Sequence, residues 1–231
     1  MLVKREYLIN MNIYIIQLLT VAGIHALAVI SPGPDFVLIS KLSLSYSRKI
    51  GFAGAIGVAL GIGLHITYSI LGIGALIASS VLLFNTIKIL GALYLIYIGL
   101  MSFRKTKDSK TISITELSDD IQIKDGMTPL RALKSGFLTN ALNPKATLFI
   151  LAVFTQVITP ATPKLIQVAY GVEMIVATAV WFSVVSFFLS TDFISQKIQS
   201  AKGIIEKITG VVLTALGIKI LLGPAQVFHL E

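Results

Sequence analysis

The sequence predicts an all-α membrane protein, and three observations carry this prediction. Of its 231 residues, 55% are hydrophobic and 13% are charged, against about 25% charged residues in an average soluble domain. Several segments reach the ~18 apolar residues that mark a candidate transmembrane helix. The 19 Lys and Arg, against 11 Asp and Glu, collect in short loops between these segments, as membrane insertion demands. We therefore expect a lipid bilayer as partner, and no nucleic acid.

Six hydrophobic segments order the chain: residues 13–44, 51–79, 81–103, 132–158, 165–189 and 204–222. The predicted units are a first three-helix transmembrane repeat (1–103), a hydrophilic cytoplasmic linker (104–130) and a second three-helix transmembrane repeat (131–231). Basic residues concentrate after the first segment, in the linker and between the fifth and sixth segments. The positive-inside rule places these loops in the cytoplasm and both termini on the outer, periplasmic side.

The two halves resemble each other in sequence. "KILGALYLIYIG" (88–99) and "KITGVVLTALG" (207–217) both open with Lys-Ile-x-Gly. With three segments per half, the second copy enters the membrane from the opposite side, which is the inverted repeat of many secondary transporters. A cleavable signal peptide is an alternative for the N terminus, because Lys4 and Arg5 precede an apolar run with Ala26 and Ala28. That run continues past the cleavage point, which favours a retained helix.

A proline break interrupts the first segment of each half. The breaks are "SPGPDF" (31–36) and "LNPKAT" (142–147), in which Pro34-Asp35 and Pro144-Lys145 join a proline to a charged residue. Irregular backbone at membrane depth is tolerated where it lines a cavity. Interrupted helices at matching positions of two halves indicate a binding site near the bilayer midplane. We therefore predict two proline-broken helices around a polar cavity.

Local chemistry predicts that a helix restarts after each break. Gly33 permits a sharp turn, and Pro34 and Pro144 suit the first helical position, where no backbone donor is needed. Asn143 is a favourable N-cap.

The charged residues after the two prolines differ in sign. Asp35 suits the positive end of a helix dipole. Lys145 at the same place needs an anion nearby, supplied by Asp35 or by a substrate carboxylate. In the alternative interpretation both residues only cap ordinary surface turns, because residues 13–30 are nearly long enough to span a membrane alone.

The second segment carries a stripe of small and polar residues at spacings of three and four: Gly54, Gly57, Gly61, His65, Tyr68 and Gly72. Such a stripe favours close helix contact. His65 could carry protons or be a buried, hydrogen-bonded histidine, and His25 leaves the same choice. Glu173, within the fifth segment, is a further candidate.

Chemistry other than transport finds little support. The chain has no cysteine and three histidines, so no soft-metal site is expected. There is no H-E-x-x-H motif, paired aspartate motif or Ser-Lys constellation. We predict no catalytic residue, no cofactor and no enzymatic activity.

Three segments resemble the lysine exporter / homoserine–threonine resistance (LysE/RhtB) family of amino-acid exporters. They are "SPGPDF", "GFAGAIGVALGIGLH" (51–65) and "GFLTNALNPKATLFI" (136–150), and the resemblance extends from about residue 11 to residue 222. About ten residues before Met11 and a rather long linker depart from the usual form. The family pattern maps onto Pro32, Gly33, Pro34, Asp35, Asn143, Pro144 and Lys145.

The resemblance implies a bacterial inner-membrane exporter of amino acids or their derivatives, driven by protons or another coupling ion. In the mechanism it suggests, the halves rock by alternating access around a zwitterion, with its carboxylate at Lys145 and its ammonium at Asp35. Export of another small solute or ion, and a membrane scaffold without transport, are the alternatives. A homo-oligomer is a further open alternative.

Overall fold

The computed structural model describes residues 2–31, 33–105, 126–157, 162–189 and 192–223, and every regular element in these ranges is an α-helix. The helices are α1 (Leu2–Ile30), α2 (Pro34–Ser45), α3 (Arg48–Ser79), α4 (Val81–Lys105), α5 (Pro129–Ala141), α6 (Pro144–Val157), α7 (Lys164–Leu189) and α8 (Asp192–Leu222). Pro32 and residues 106–125 of the predicted linker lie outside the described residues.

Both predicted proline breaks are confirmed. Helix α1 ends at Ile30 and α2 begins at Pro34, while α5 ends at Ala141 and α6 begins at Pro144. Helices α5 and α6 are bent by 59° relative to each other. Proline ends the preceding helix because it lacks a backbone donor, and it starts the next one because its φ is already helical.

The prediction of six transmembrane helices is met in part. Among the described residues, four helices are long and apolar enough to cross a membrane, and a fifth crossing results if α5 and α6 form one bent span. The four stretches are Met11–Ile30, Arg48–Gly72, Leu82–Phe103 and Lys164–Phe188. Helix α2, with 12 residues, is about 18 Å long and too short to cross alone. Helix α8 carries Glu206, Lys207 and Lys219 within its apolar part.

Large apolar side chains on the outside of the bundle indicate a lipid environment. Leu71 on α3 is 67% exposed, Leu82 on α4 78% and Leu165 on α7 79%. A soluble monomer rarely exposes so many contiguous apolar side chains. The surface therefore fits a bilayer, whose hydrocarbon core is the solvent for such groups.

Two hydrophobic clusters lie inside the bundle. The first joins α3, α4, α6, α7 and α8 with α1, around Phe84, Phe154 and Met174. The second joins α2, α3, α5 and α7, around Ile39 and Phe182. Helices α1 and α6 contribute to the first cluster, and helices α2 and α5 contribute to the second. Each proline break therefore lies where the chain passes from one cluster to the other.

Glycines bring α3 and α5 into backbone contact. A Cβ atom placed on Gly57 would lie 2.8 Å from the Phe137 nitrogen, and one placed on Gly61 would lie 2.7 Å from Asn140 Cβ. No real Cβ approaches another atom this closely, so only glycine fits. The predicted stripe is confirmed for Gly54, Gly57 and Gly61, whereas nothing lies within 4 Å of the Cβ position of Gly72.

The contacts between helices fix their relative directions. Helix α3 runs parallel to α5 and antiparallel to α7, while α4 runs antiparallel to α8 and α1 parallel to α7. The antiparallel contacts are Gly51 with Ser186 and Gly63 with Ile175 for α3–α7, and Gly99 with Gly210 and Gly217 with Ala92 for α4–α8. The parallel contacts are Gly57 with Leu133 and Gly61 with Asn140 for α3–α5, and Gln17 with Tyr170 and His25 with Thr178 for α1–α7.

Candidate functional site

Asp35 lies in the first turn of α2 and is held by amides from the other half of the chain. Its Oδ2 accepts hydrogen bonds from Asn140 Nδ2 at 3.0 Å and Asn143 Nδ2 at 3.4 Å. Its Oδ1 is buried and has no hydrogen-bond partner in the described part of the chain. One carboxylate oxygen is thus fixed, and the other is left to bind something further.

Asn143 links the two breaks. Its Oδ1 accepts a hydrogen bond from the Lys145 backbone nitrogen at 3.0 Å, and its carbonyl accepts the Thr147 backbone N–H at 3.1 Å. This is the predicted N-cap of α6, with Pro144 at the first helical position. The same side chain therefore starts α6 and orients Asp35.

Lys145 reaches across to the first break. Its Nζ donates to Ser31 Oγ at 3.4 Å and lies 3.8 Å from the position that a Cβ on Gly33 would occupy. Each half of the chain therefore sends one charged side chain to the break of the other half. A carboxylate and an ammonium come to line the same cavity in this way.

The predicted role of Gly33 is wrong. Its φ of −159° and ψ of −171° are extended, and any residue adopts such a conformation. No described residue has a left-handed backbone. A Cβ atom at Gly33 would lie in ordinary contact with the Lys145 ammonium, so only a side chain larger than alanine would crowd that ammonium.

The His65 side chain is hydrogen-bonded to the backbone of Asn140. Its Nε2 lies 2.9 Å from the Asn140 carbonyl oxygen, and a carbonyl only accepts, so Nε2 carries the proton. Its Nδ1 then accepts from the Tyr68 hydroxyl, with Thr147 Oγ1 3.5 Å away. In this geometry His65 is a buried, hydrogen-bonded histidine, which is one of the two alternatives predicted for it. It connects α3 to Asn140, the residue that binds Asp35.

A cavity of about 50 Å³ lies beside these groups. Its polar lining includes Asp35, Asn140, Lys145, His25 and Thr178. In the described structure, three residues of this lining carry a buried atom without a hydrogen-bond partner: Asp35 Oδ1, Asn140 Oδ1 and His25 Nδ1. An ionised carboxylate oxygen only accepts, so Asp35 Oδ1 can receive a group with N–H or O–H donors, such as an ammonium.

The structure brings most of the predicted site residues together. Gly33, Pro34, Asp35, Asn143 and Lys145 all line the cavity. Pro144 begins α6 and lines an adjoining cavity. Pro32 lies outside the described residues.

Glu173 lies on α7 and does not line the cavity of Asp35. A role for this carboxylate in transport stays a prediction. Among the described residues, no group of three His, Asp or Glu could hold a metal ion.

Sequence reasoning missed Asn140, Ser31 and Thr178. Asn140 is the hydrogen-bond donor closest to Asp35. Its signal was an amide inside the apolar segment "GFLTNALNPKATLFI", three residues before the N-cap. Serine and threonine give no such signal, because they commonly bond to their own helix backbone.

Opposite charges at two broken helices within an apolar helical bundle define a membrane transporter. The model of the family described as LysE type translocator matches residues 26–223. The chain belongs to this family. It is accordingly a multi-pass membrane transporter and not an enzyme, and the resemblance seen at the two breaks is confirmed.

The chain is similar to several known proteins along most of its length. It is 34% identical over 213 residues to an uncharacterized membrane protein, YrhP, of Bacillus subtilis (strain 168), covering 88% of this chain and 97% of the relative. It is 28% identical over 204 residues to the threonine efflux protein of Escherichia coli (strain K12), covering 88% and 97%. The homoserine/homoserine lactone efflux protein of Salmonella typhimurium is 31% identical over 154 residues, covering 65% and 69%. No solved structure matched the chain.

Proposed function

We propose that this protein exports amino acids across the bacterial inner membrane and binds them as zwitterions between its two broken helices. The observation that carries the proposal is the pair of opposite charges on one cavity, Asp35 with a free carboxylate oxygen and Lys145 on the other broken helix. An α-amino acid presents the complementary pair. Its ammonium would bind Asp35 Oδ1, and its carboxylate would bind Lys145.

The substrate class is supported by the relatives. Two of them are named for the efflux of threonine and of homoserine or its lactone. Threonine and homoserine are neutral as whole molecules, so one carboxylate and one ammonium in the site balance their charges. Threonine is therefore the first substrate to test.

The transport mechanism that we propose is alternating access between two inverted repeats, residues 1–103 and 131–231, joined by a cytoplasmic linker at 104–130. The helix directions support this plan. Successive spans of a membrane protein cross the bilayer in opposite directions. The parallel pairs α1–α7 and α3–α5, and the antiparallel pairs α3–α7 and α4–α8, have the relative directions that six alternating spans require. Six crossings place both termini on the same side, and the positive-inside rule makes this the periplasmic side.

Asp35 is also the group that we propose for coupling to the proton gradient. A proton on Oδ1 would remove the charge that holds the ammonium, so the proton and the substrate ammonium would compete for one oxygen, and proton binding would favour amino-acid release. Asn140 and Asn143 bind the other oxygen and keep the carboxylate oriented in either state.

The test is efflux from cells preloaded with labelled threonine, homoserine, leucine, lysine or arginine. Wild type is expected to accelerate the efflux of threonine or homoserine. Asp35→Asn and Lys145→Met are each expected to reduce this efflux at least 10-fold, because each removes a charge-assisted hydrogen bond worth about 1.5–3 kcal/mol.

The matched control is Glu173→Gln, which changes a carboxylate to an amide on α7, away from the cavity. This variant is expected to export like wild type, and membrane levels of all variants are compared by immunoblot. Wild-type rates in Asp35→Asn would remove Asp35 from the mechanism. No acceleration for any amino acid would point to another small solute or ion.

A further inference from the structure

A second cavity adjoins the site on the other side of the breaks. Its volume is about 310 Å³, against about 50 Å³ beside Asp35. The two cavities share Ser31, Gly33, Pro34, Asn143 and Lys145 in their linings. The broken helices are therefore the wall between a small inner chamber and a larger one, which we name the vestibule.

The vestibule extends toward one end of the bundle. Besides the breaks, it is lined by α4 residues, including Tyr94, Tyr97 and Ser102, and by Glu206 of α8. Ser102 lies three residues before the end of α4 at Lys105. This helix end leads into the stretch 104–130, which the charge distribution predicts to be cytoplasmic.

Glu206 is the acidic residue of the vestibule. It is 7% exposed, and within the described part of the chain no hydrogen bond or ion pair holds its carboxylate. A buried carboxylate is costly unless a cation or hydrogen-bond donors face it. Lys145, on the shared wall, gives the vestibule an ammonium as well.

We propose that the vestibule is a second substrate site, where Glu206 binds the ammonium of an amino acid arriving from the cytoplasm and Lys145 binds its carboxylate. The inference rests on the proposed export function. Tyr94 also lines the vestibule, so an aromatic side chain is within the same site as this ammonium. Lys145 lines both chambers, so it holds the carboxylate while the ammonium exchanges Glu206 for Asp35.

The first test uses the absence of cysteine from the chain. A single Ser102→Cys variant in inverted membrane vesicles should react with a charged thiol reagent, because the proposed site is reached from the cytoplasmic face. Threonine should slow this reaction at least several-fold, and homoserine replaces it as probe if only homoserine is exported. The control Leu93→Cys lies on α4 with the Leu93 side chain 50% exposed and outside the vestibule lining. It should not react, because it faces lipid.

The second test separates the two sites kinetically. Glu206→Gln should raise the KM for efflux about 10-fold or more, through loss of a charge-assisted contact, and leave the maximal rate nearly unchanged. It should also abolish threonine protection of Ser102→Cys. Lys207→Gln changes the neighbouring exposed charge on α8 and should leave the KM unchanged.

The outcomes distinguish this inference from the export proposal. If wild type exports threonine but threonine does not protect Ser102→Cys, the vestibule is not a substrate site. An unchanged KM in Glu206→Gln, with export intact, also overturns the role of Glu206. Absence of efflux from wild type would instead refute the export function on which the inference rests.

Discussion

Helix α3 touches the candidate site through Gly61, and Gly61→Ala is the sharpest test of how the site is built. The new Cβ would lie 2.7 Å from both Cβ and Oδ1 of Asn140. Ordinary contacts begin at 3.4 Å, so Asn140 must move by about 0.7 Å. Asn140 is 1% exposed and its backbone carbonyl is bonded to His65, so it has little freedom to move elsewhere.

The displacement is large enough to break the contact with Asp35. The Asn140–Asp35 hydrogen bond is 3.0 Å long, and a displacement of about 0.7 Å along that bond would place the two atoms beyond hydrogen-bond distance. Loss of one hydrogen bond to a charged group costs about 1.5–3 kcal/mol, which corresponds to a loss of about 10- to 150-fold in binding. Overpacking between α3 and α5 adds about 1–3 kcal/mol of destabilisation.

The assay measures threonine efflux and thermal denaturation of the detergent-purified protein. Gly61→Ala should lower both the efflux rate and the denaturation midpoint. Gly72→Ala is the matched control, because it makes the same change on the same helix with nothing within 4 Å. It should export normally and be no less stable, since alanine favours a helix over glycine by about 1 kcal/mol. Wild-type efflux from a well-expressed Gly61→Ala would refute the role assigned to Asn140.

Two further predictions concern the walls of the cavity. Gly33→Ala should retain export, because its Cβ would lie 3.8 Å from Lys145 Nζ and its backbone conformation is open to any residue. Gly33→Leu should block efflux, because the larger side chain would fill the space beside the Lys145 ammonium. Export by both variants would contradict this geometry. His65→Gln should export within about twofold of wild type, because a glutamine amide can donate to the Asn140 carbonyl, whereas His65→Leu removes that donor and should destabilise the protein by about 1–3 kcal/mol. Loss of efflux in a stable His65→Gln would instead indicate that His65 carries protons.

The proline breaks were predictable because their causes are local. Pro34 and Pro144 lack backbone donors, and Asn143 supplies an acceptor within three residues of the N–H that it caps. The glycine stripe of α3 was predictable for a similar reason, since its spacing follows the helical period. The extended conformation of Gly33 was not predictable, because a glycine between two prolines is compatible both with a sharp turn and with an extended backbone.

The partners of Asp35 depend on long-range structure. Asn140 lies 105 residues further along the chain, and its role follows from the contact between α3 and α5. Apolar residues also did not reveal the full length of α8: the predicted segment begins at residue 204, whereas the helix begins at Asp192. Only the folded arrangement places Glu206 in a cavity with Lys145.

Local sequence patterns are sufficient to predict a membrane protein with two proline-broken helices, and they indicate the translocator family. These properties follow from hydropathy, from the missing donor of proline and from helix caps, all of which act within a few residues. The tertiary structure alone decided that each charged side chain faces the opposite break and that two cavities meet there. Such pairings are set by helix directions and backbone contacts between distant segments, which a single sequence does not encode in any local pattern.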